Sequence, residues 1–360
     1  MNRRFMIASG GTGGHFYPGF ALGRTLRKQG LPVLFIIRKN DPAAQVLEAH
    51  QLHYREIDFM GLSRSLNPIR HLQFIGKFMK SIWQVRSLVK EFRPDVAVGT
   101  GGYISFPLIF MAHCMGVKTA VHDSNARIGL ANKVCGRFAD LFMLGLPVPD
   151  KIKNSQLTST PIRSEFETPA DRQALLTGLG LDPAQKTVLV VGGSQGARAL
   201  NAAVVTLAKN NPSWQFIHIT GERWYGMLHE EYRALERVAV LPYSHEIYAL
   251  MQAVDLVICR SGASTLAELI YCKLPAILVP FPYATADHQY YNAKILEDAG
   301  CARIVRENGE LATRLQQILE DLSTGDAALL DKWRKAYASL KIPNPLKAAG
   351  KIAELLRNLS

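Results

Sequence analysis

The feature that most constrains the fold is a strand–glycine–helix opening that occurs twice. The first, RRFMIASGGTGGHFYPGFALGRTLRKQG, starts at Arg3; the second, KTVLVVGGSQGARALNAAVVTLAKN, starts at Lys186. In each, a short apolar run rich in β-formers enters a glycine cluster. A helical pattern follows, with Ala, Leu and Val recurring at three and four residues. A chain that opens this way builds a doubly wound α/β domain. Doing so twice in 360 residues predicts two Rossmann-like domains rather than one long sheet.

Further runs fit that reading. Residues 33–37, 96–98, 119–121 and 141–144 are candidate strands in the first half, and 216–219, 238–241, 256–259 and 276–279 in the second, with helical patterns between them. The stretch from Leu146 to Phe166 is rich in Pro, Ser and Thr and lacks sustained periodicity, so it reads as the linker. The expected division is 1–161, 162–342 and a closing helix in 343–360 that packs back on the first domain. Two helical stretches, 327–340 and 345–359, end the chain.

Composition adds a sharper fact through its charge. The net charge of +12 lies wholly in residues 1–160, which hold 21 Lys+Arg against 9 Asp+Glu, whereas 161–360 hold 21 against 21. A one-sided basic half suits an anionic surface, or only solubility. No apolar run approaches the roughly 18–20 residues that span a bilayer. Arg3-Arg4 enter a glycine loop too early for a signal peptide, so the expected location is cytoplasmic, with peripheral membrane contact. The five cysteines form no C-x-x-C pair and read as buried thiols, so a structural zinc site is not expected. Between Phe59 and Arg93, seven Lys/Arg and one acid are interleaved with Phe, Ile, Met and Trp. That pattern suits an anionic lipid surface or a core helix with a solvated basic face, and periodicity does not separate the two.

The chemistry is expected at the loops. Gly10-Gly11-Thr12-Gly13-Gly14-His15 lets the backbone turn tightly while a helix N-terminus points its free N–H groups into the same space. It suits a phosphate, a sugar or a developing anion. It is not a Walker A loop, and Arg38-Lys39 stand where a dinucleotide fold puts its ribose-binding acid. His15 sits where such sheets place ligands, and the adjacent dipole favours neutral imidazole, the form a general base needs. A structural histidine is the plain alternative. Gly99–Tyr103, followed by Ser105 and Pro107, and His122–Asn125 are two further polar loops at strand ends. In the second half, Gly192–Ala197 repeats the glycine turn with Ser194 as a donor. The run Arg260–Glu268 opens a helix on which a diphosphate can rest, with Glu268 placed for vicinal hydroxyls or for plain solvent. Asp287, His288 and Gln289 start a later helix, where Asp287 also fits a simple N-cap.

In this order, GGTGGH with Pro18-Gly19, GTGGYISFP, DSN with GLANK, TPIR, GGSQGARALN, CRSGASTLAE and DHQYYNA closely resemble the MurG family. Its members are the UDP-N-acetylglucosamine:undecaprenyl-pyrophosphoryl-muramoyl-pentapeptide N-acetylglucosaminyltransferases of bacterial cell-wall synthesis. The resemblance runs from residue 10 to residue 293. It implies an α/β GT-B fold, two Rossmann-like domains facing a central cleft, and an inverting hexosyltransferase on the cytoplasmic face of the inner membrane. It further implies UDP-N-acetylglucosamine and a polyprenyl-diphosphate-linked muramoyl-pentapeptide as substrates, an anionic membrane surface and cell-wall synthesis proteins as partners, and no nucleic acid. Thr12, Gly13 and Gly14 would contact the sugar nucleotide and Asn125 the transferred sugar. Arg163, Ser194 and the segment Ala263, Ser264, Thr265, Leu266 and Glu268 would hold diphosphate and ribose. Gln289 would hold sugar hydroxyls.

The family position nearest a general base is His15, with Asp123 the second candidate. Two departures stand out. Asp123-Ser124-Asn125 replaces the usual Glu-Gln-Asn, and Ser244 stands where an apolar residue often lies near the uracil, a place where a backbone contact would survive. No Asp-x-Asp motif offers a divalent-ion site, so no metal or cofactor is expected. Two other readings compete: a UDP-N-acetylglucosamine 2-epimerase, and a non-catalytic nucleotide-sugar-binding scaffold at the membrane. A nicotinamide oxidoreductase is disfavoured by the missing ribose acid.

Overall fold

The fold is given by a computed structural model that describes residues 3–11, 13–59, 68–193, 196–324 and 328–359, with the backbone alone for 68–75. Thr12 and Ser194 therefore lie outside the described residues. The chain divides into two compact units, Met1–Arg163 with Ile342–Ser360, and Ser164–Lys341.

The first unit begins β1 (Phe5–Ala8), α1 (Gly13–Lys28), β2 (Val33–Arg38), α2 (Ala43–Ala49), β3 (Tyr54–Ile57) and α3 (Pro68–Phe92). It continues β4 (Val96–Gly99), α4 (Ser105–Cys114), β5 (Lys118–Asp123), α5 (Leu130–Cys135), β6 (Leu141–Leu144) and β7 (Ser155–Leu157). All its pairings are parallel, in the order β3-β2-β1-β4-β5-β6-β7. Side chains alternate across each strand. Phe5, Ile7, Phe35, Ile37, Val96 and Val98 pack with Phe16, Phe20 and Leu26 of α1 on one face. Met6, Ala8, Leu34, Ile36 and Ala97 pack with α3 and α4 on the other.

The second unit begins α6 (Arg172–Gly178), β8 (Lys186–Val191), α7 (Arg198–Asn210), β9 (Trp214–Ile219), α8 (Glu222–Tyr232) and β10 (Val238–Leu241). Then come α9 (Ile247–Ala253), β11 (Leu256–Cys259), α10 (Ala263–Cys272), β12 (Ala276–Leu278), α11 (His288–Asp298) and β13 (Ala302–Ile304). It ends with α12 (Leu311–Thr324) and α13 (Leu329–Ala336). Its sheet is also parallel, in the order β10-β9-β8-β11-β12-β13. The chain then returns to the first unit as α14 (Pro345–Arg357), whose Ile352, Ala353 and Leu356 join the α1 face of the core. Arg3 Nη1 donates to the carbonyls of Leu356 and Leu359 at 3.2 and 2.7 Å and so holds the end of α14.

In each sheet the strand order reverses once, between β1 and β4 and between β8 and β11. An open α/β sheet binds its ligand at such a switch, outside the carboxyl ends of the strands. The glycine loops fall at those ends.

The segment read as a linker carries β7, which pairs with β6. The sequence also gave no sign of β3 and β13. The expected helix over 327–340 is shorter: Ala327 lies outside the described residues, α13 ends at Ala336 and a single 3-10 turn covers Tyr337–Ser339. The basic, aromatic stretch is α3, and over 76–92 it has two characters. Ser81, Val85 and Val89 face the core, while Met79 and Trp83 are 51% and 63% exposed. Lys77 and Lys80 pair with Asp58, Arg86 stacks on Trp83 at 5.4 Å, and Lys90 is exposed. Among the described residues no helix is long and apolar enough to cross a membrane.

Candidate active site

In the first unit, α1 sits very close to the strand ends. A Cβ on Gly19 would lie 2.5 Å from Ser9 Oγ and 2.9 Å from Thr100 Oγ1, so this approach requires glycine. The two hydroxyls hold the start of the helix. Ser9 Oγ donates to the His15 and Phe16 carbonyls at 3.2 and 3.1 Å, and Thr100 Oγ1 to the His15 carbonyl at 2.9 Å. The His15 ring lies on the second glycine loop. A Cβ on Gly101, whose φ is +112°, would fall 2.3 Å from His15 Nδ1. Ser105 Oγ closes that loop by donating to the Gly101 carbonyl at 2.9 Å. Gly13 and Gly14 are exposed beside the half-buried His15. Arg163 joins this group, its guanidinium 5.9 Å from the ring of Tyr17 on α1.

The third polar loop is buried. His122 donates from Nε2 to the Ser159 carbonyl at 3.2 Å, and burial pushes its imidazole below the ordinary value against the pull of that bond and of Asp123. Neutral His122 is therefore a core group. Half-buried Asn125 donates from Nδ2 to Asp123 Oδ1 at 3.3 Å.

In the second unit the glycine turn is again forced by close approach. A Cβ on Gly196, at φ +71°, would lie 2.2 Å from the Thr220 carbonyl oxygen, and one on Gly192 2.6 Å from Ala197 N. A buried relay supports it. Tyr232 Oη donates to His218 Nδ1 at 2.9 Å, His218 Nε2 to Asn201 Oδ1 at 3.2 Å, and Asn201 Nδ2 to the Thr220 carbonyl at 3.0 Å. Burial holds His218 neutral, its pKa pushed down to about 3. At the neighbouring strand end, α10 starts with Ala263, Ser264 and Thr265 in its first turn, where helix N–H groups lack intrahelical partners. The buried Ser264 Oγ has no hydrogen-bond partner among the described residues. Half-buried Glu268 lies further along the same helix. Arg260 donates to the Val279 carbonyl at 3.1 Å, pairs with Glu307 and stacks on Phe281, so it braces the strand ends.

The loop before α11 is strained, with Ala286 and Asp287 both left-handed at φ +53° and +52°. Side chains hold it there. Asp287 does not cap α11; its carboxylate pairs with Arg306 at 3.0 Å. His288 Nδ1 donates to the Thr285 carbonyl at 2.8 Å, and Gln289 Oε1 accepts the Phe281 N–H at 2.9 Å. Ser244 Oγ accepts the Glu246 N–H at 3.1 Å and so closes the turn before α9. Of the five cysteines read as buried, Cys135, Cys259 and Cys301 are so and Cys272 is partly buried, and burial pushes all four thiols up to about 12; Cys114, at the end of α4, is exposed instead.

The chain matches the Glycosyltransferase family 28 N-terminal domain over residues 5–143 and the Glycosyltransferase family 28 C-terminal domain over 187–344. It is 49% identical, over 99% of its own length and all of the relative's, to a UDP-N-acetylglucosamine--N-acetylmuramyl-(pentapeptide) pyrophosphoryl-undecaprenol N-acetylglucosamine transferase from Elusimicrobium minutum. The crystal structure of MurG from Acinetobacter baumannii superposes with a TM-score of 0.82 at 25% identity, covering 99% of both chains. This chain belongs to the MurG family. A UDP-N-acetylglucosamine 2-epimerase structure is also similar, at TM-score 0.64 over 98% of this chain and 95% of that one, but at 13% identity the likeness shows the fold alone.

The MurG family fold is GT-B, and its members are glycosyltransferases. Two residues that the MurG pattern draws towards the site are arranged otherwise here. Asp123 is 2% exposed, and its carboxylate accepts four N–H bonds: Asn125 N and Nδ2 on Oδ1, and Gly129 N and Asn132 Nδ2 on Oδ2. Every lone pair is engaged in bracing the 123–132 loop, so Asp123 has none to accept a substrate proton. Leu266 is fully buried, and its N–H already bonds the Gly262 carbonyl at 2.9 Å, which leaves it no outward group. Sequence reasoning missed Ser9, which precedes the first loop and holds it locally, and Asp41, which grips it from 30 positions away; it singled out the loop of Thr100 but not the bond from Thr100 to the His15 carbonyl.

Proposed function

We propose that the protein transfers N-acetylglucosamine from UDP-N-acetylglucosamine to the 4-hydroxyl of the muramoyl sugar of undecaprenyl-pyrophosphoryl-muramoyl-pentapeptide, with inversion. Membership of the MurG family supports the substrates. The observation that carries the chemistry is His15, half-exposed at the β1–β4 switch with its ring on Gly101 and its carbonyl tied by two hydroxyls. A base fixed in this way can meet an acceptor hydroxyl without further ordering. The hydroxyl gives its proton to the imidazole as its oxygen bonds the anomeric carbon, and the bond from that carbon to the UDP oxygen breaks.

The leaving diphosphate needs positive potential, which the first turn of α10 and the α7 glycine turn supply through N–H groups. Ala263, Ser264 and Thr265 are the donors there, with Ser194 as a further one and Glu268 for the ribose. Gln289 and Asn125 serve the sugar, the loop of Gly13 and Gly14 lies beside the base, and Ser244 offers backbone to the uracil. The exposed face of α3 docks on anionic lipid, which places the enzyme peripherally on the cytoplasmic face of the inner membrane.

The test is transfer of labelled N-acetylglucosamine to a short-chain lipid-linked muramoyl-pentapeptide by wild type and His15→Ala. We expect wild-type transfer and a loss of ~100-fold or more in the variant. Near-normal activity of His15→Ala would remove it as base. UDP release without transfer would favour the epimerase, and donor binding with no reaction the scaffold.

A further inference from the structure

Asp41 lies just beyond the end of β2, in the turn before α2, and is 5% exposed. A dinucleotide-binding fold would place its ribose-binding acid in this region, but here the protein itself occupies the carboxylate. Oδ1 accepts the Ala43 N–H at 3.0 Å, a local bond that closes the turn into α2. Oδ2 reaches across 30 positions of the chain to accept the Gly11 N–H at 2.9 Å. The two oxygens therefore do separate work, one within the turn and one on the first glycine loop.

We propose that Asp41 is a positioning residue for the transfer reaction, acting through Gly11 to fix the first loop and hence His15. The proposal rests on the transferase reading above. Gly11 is exposed, at φ +86°, and glycine backbone has many accessible conformations. A charge-assisted bond from a buried acceptor selects one of them. The selection matters because α1 begins at Gly13, and the carbonyl of His15 must meet both Ser9 and Thr100. Asp41 grips the loop on the side of β2 and the two hydroxyls grip it from the ends of β1 and β4, so the base is held from both flanks of the switch. A base displaced by about 1 Å can lose on the order of 100-fold in rate.

Asp41→Ser separates the two bonds. A serine hydroxyl can close the local turn onto the Ala43 N–H, but it is too short to span to Gly11. In the full-length protein we expect Asp41→Ser to melt close to wild type, to lose ~10-fold or more in kcat, and to keep KM for UDP-N-acetylglucosamine and inhibition by UDP within about twofold. The Gly11 amide should exchange with solvent faster. Asp41→Asn, which keeps the size and one acceptor, should fall between.

A folded Asp41→Ser with wild-type kcat would overturn the proposal. So would a variant in which melting temperature and kcat fall while KM for UDP-N-acetylglucosamine rises and inhibition by UDP weakens, since that is the signature of a stability residue. Absence of transfer by wild type would count against the transferase reading instead, and the Gly11 exchange rate would still report whether the clamp exists.

Discussion

At the residue scale the site was legible wherever glycine was the signal, because a glycine cluster between a strand and a helix has few other uses. GGTGGH and GTGGY are contiguous strings, and the structure joins them through the Thr100 hydroxyl on the His15 carbonyl and through the His15 ring on Gly101. The ring contact makes a prediction. Gly101→Ala would drive a methyl into the imidazole at a backbone angle that L residues avoid, so kcat should fall ~10-fold or more while the protein stays folded. Gly30→Ala is the control: it is similarly left-handed, at φ +75°, but has nothing within 4 Å of its Cβ. It should cost about 1 kcal/mol of stability and leave kcat unchanged, as steady-state rates beside thermal melts would show. Equal rate losses in both variants would mean that backbone strain, not the histidine contact, sets the effect. What the sequence did not reveal were the long-range partners. Asp41 and Thr100 are ordinary turn residues until folding brings them 30 and 85 positions back along the chain to the first loop. Asp123 misled for the opposite reason: its four donors come from the very loop that makes it look catalytic.

At the scale of elements, the strands buried on both faces were the readable ones. β6 and β11 match their apolar runs end to end, since a parallel sheet covered by helices leaves a continuous apolar signal; β10 also matches, although it is a half-buried edge strand, because its run Val-Ala-Val-Leu is wholly apolar. The strands that were missed are short or at an edge. β7 is Ser-Gln-Leu on one edge, β3 reads Tyr-Arg-Glu-Ile on the other, and β13 has three residues, so none carries a burial pattern long enough to stand out. Helix α3 could not be assigned from periodicity because it has both of its suspected characters, a core face and an exposed basic and aromatic one. Helix α14 shows how much an element separated in sequence can matter. Leu356 is fully exposed to the core and not to water, packed in the cluster that holds Phe5 and Phe35 of the first unit. Leu356→Ala should therefore destabilise that unit by about 3 kcal/mol. Hydrogen exchange would report this as lost protection in β1 and β2 with β8 and β9 unchanged; equal loss in both sheets would contradict the assignment of α14 to the first unit.

For the whole molecule, the division of charge becomes sharper when it follows the structure rather than the midpoint of the chain. The first unit, with its returning α14, holds 25 Lys+Arg against 10 Asp+Glu, and the second 17 against 20. One unit is thus net +15 and the other net −3. Solubility alone would not require the excess to be confined to one body. An anionic surface would, because long-range attraction then orients the protein before contact. The apolar component has its own site, Met79 and Trp83 on α3, which stay exposed among Lys80, Arg86 and Lys90. The two contributions differ in their response to salt. Charge attraction is screened within ~10 Å at 0.1 M and ~3 Å at 1 M, whereas burial of an indole is not. The full-length protein should therefore sediment with vesicles containing anionic phospholipid at low salt and largely stay in the supernatant with neutral ones. Raising the salt to 1 M should release most of it. Trp83→Glu should weaken binding at every salt concentration without altering its salt dependence by more than about one charge's worth. Equal binding to neutral and anionic vesicles would show that the +15 unit does not act through lipid charge, and an unaffected Trp83→Glu would move the docking face away from α3.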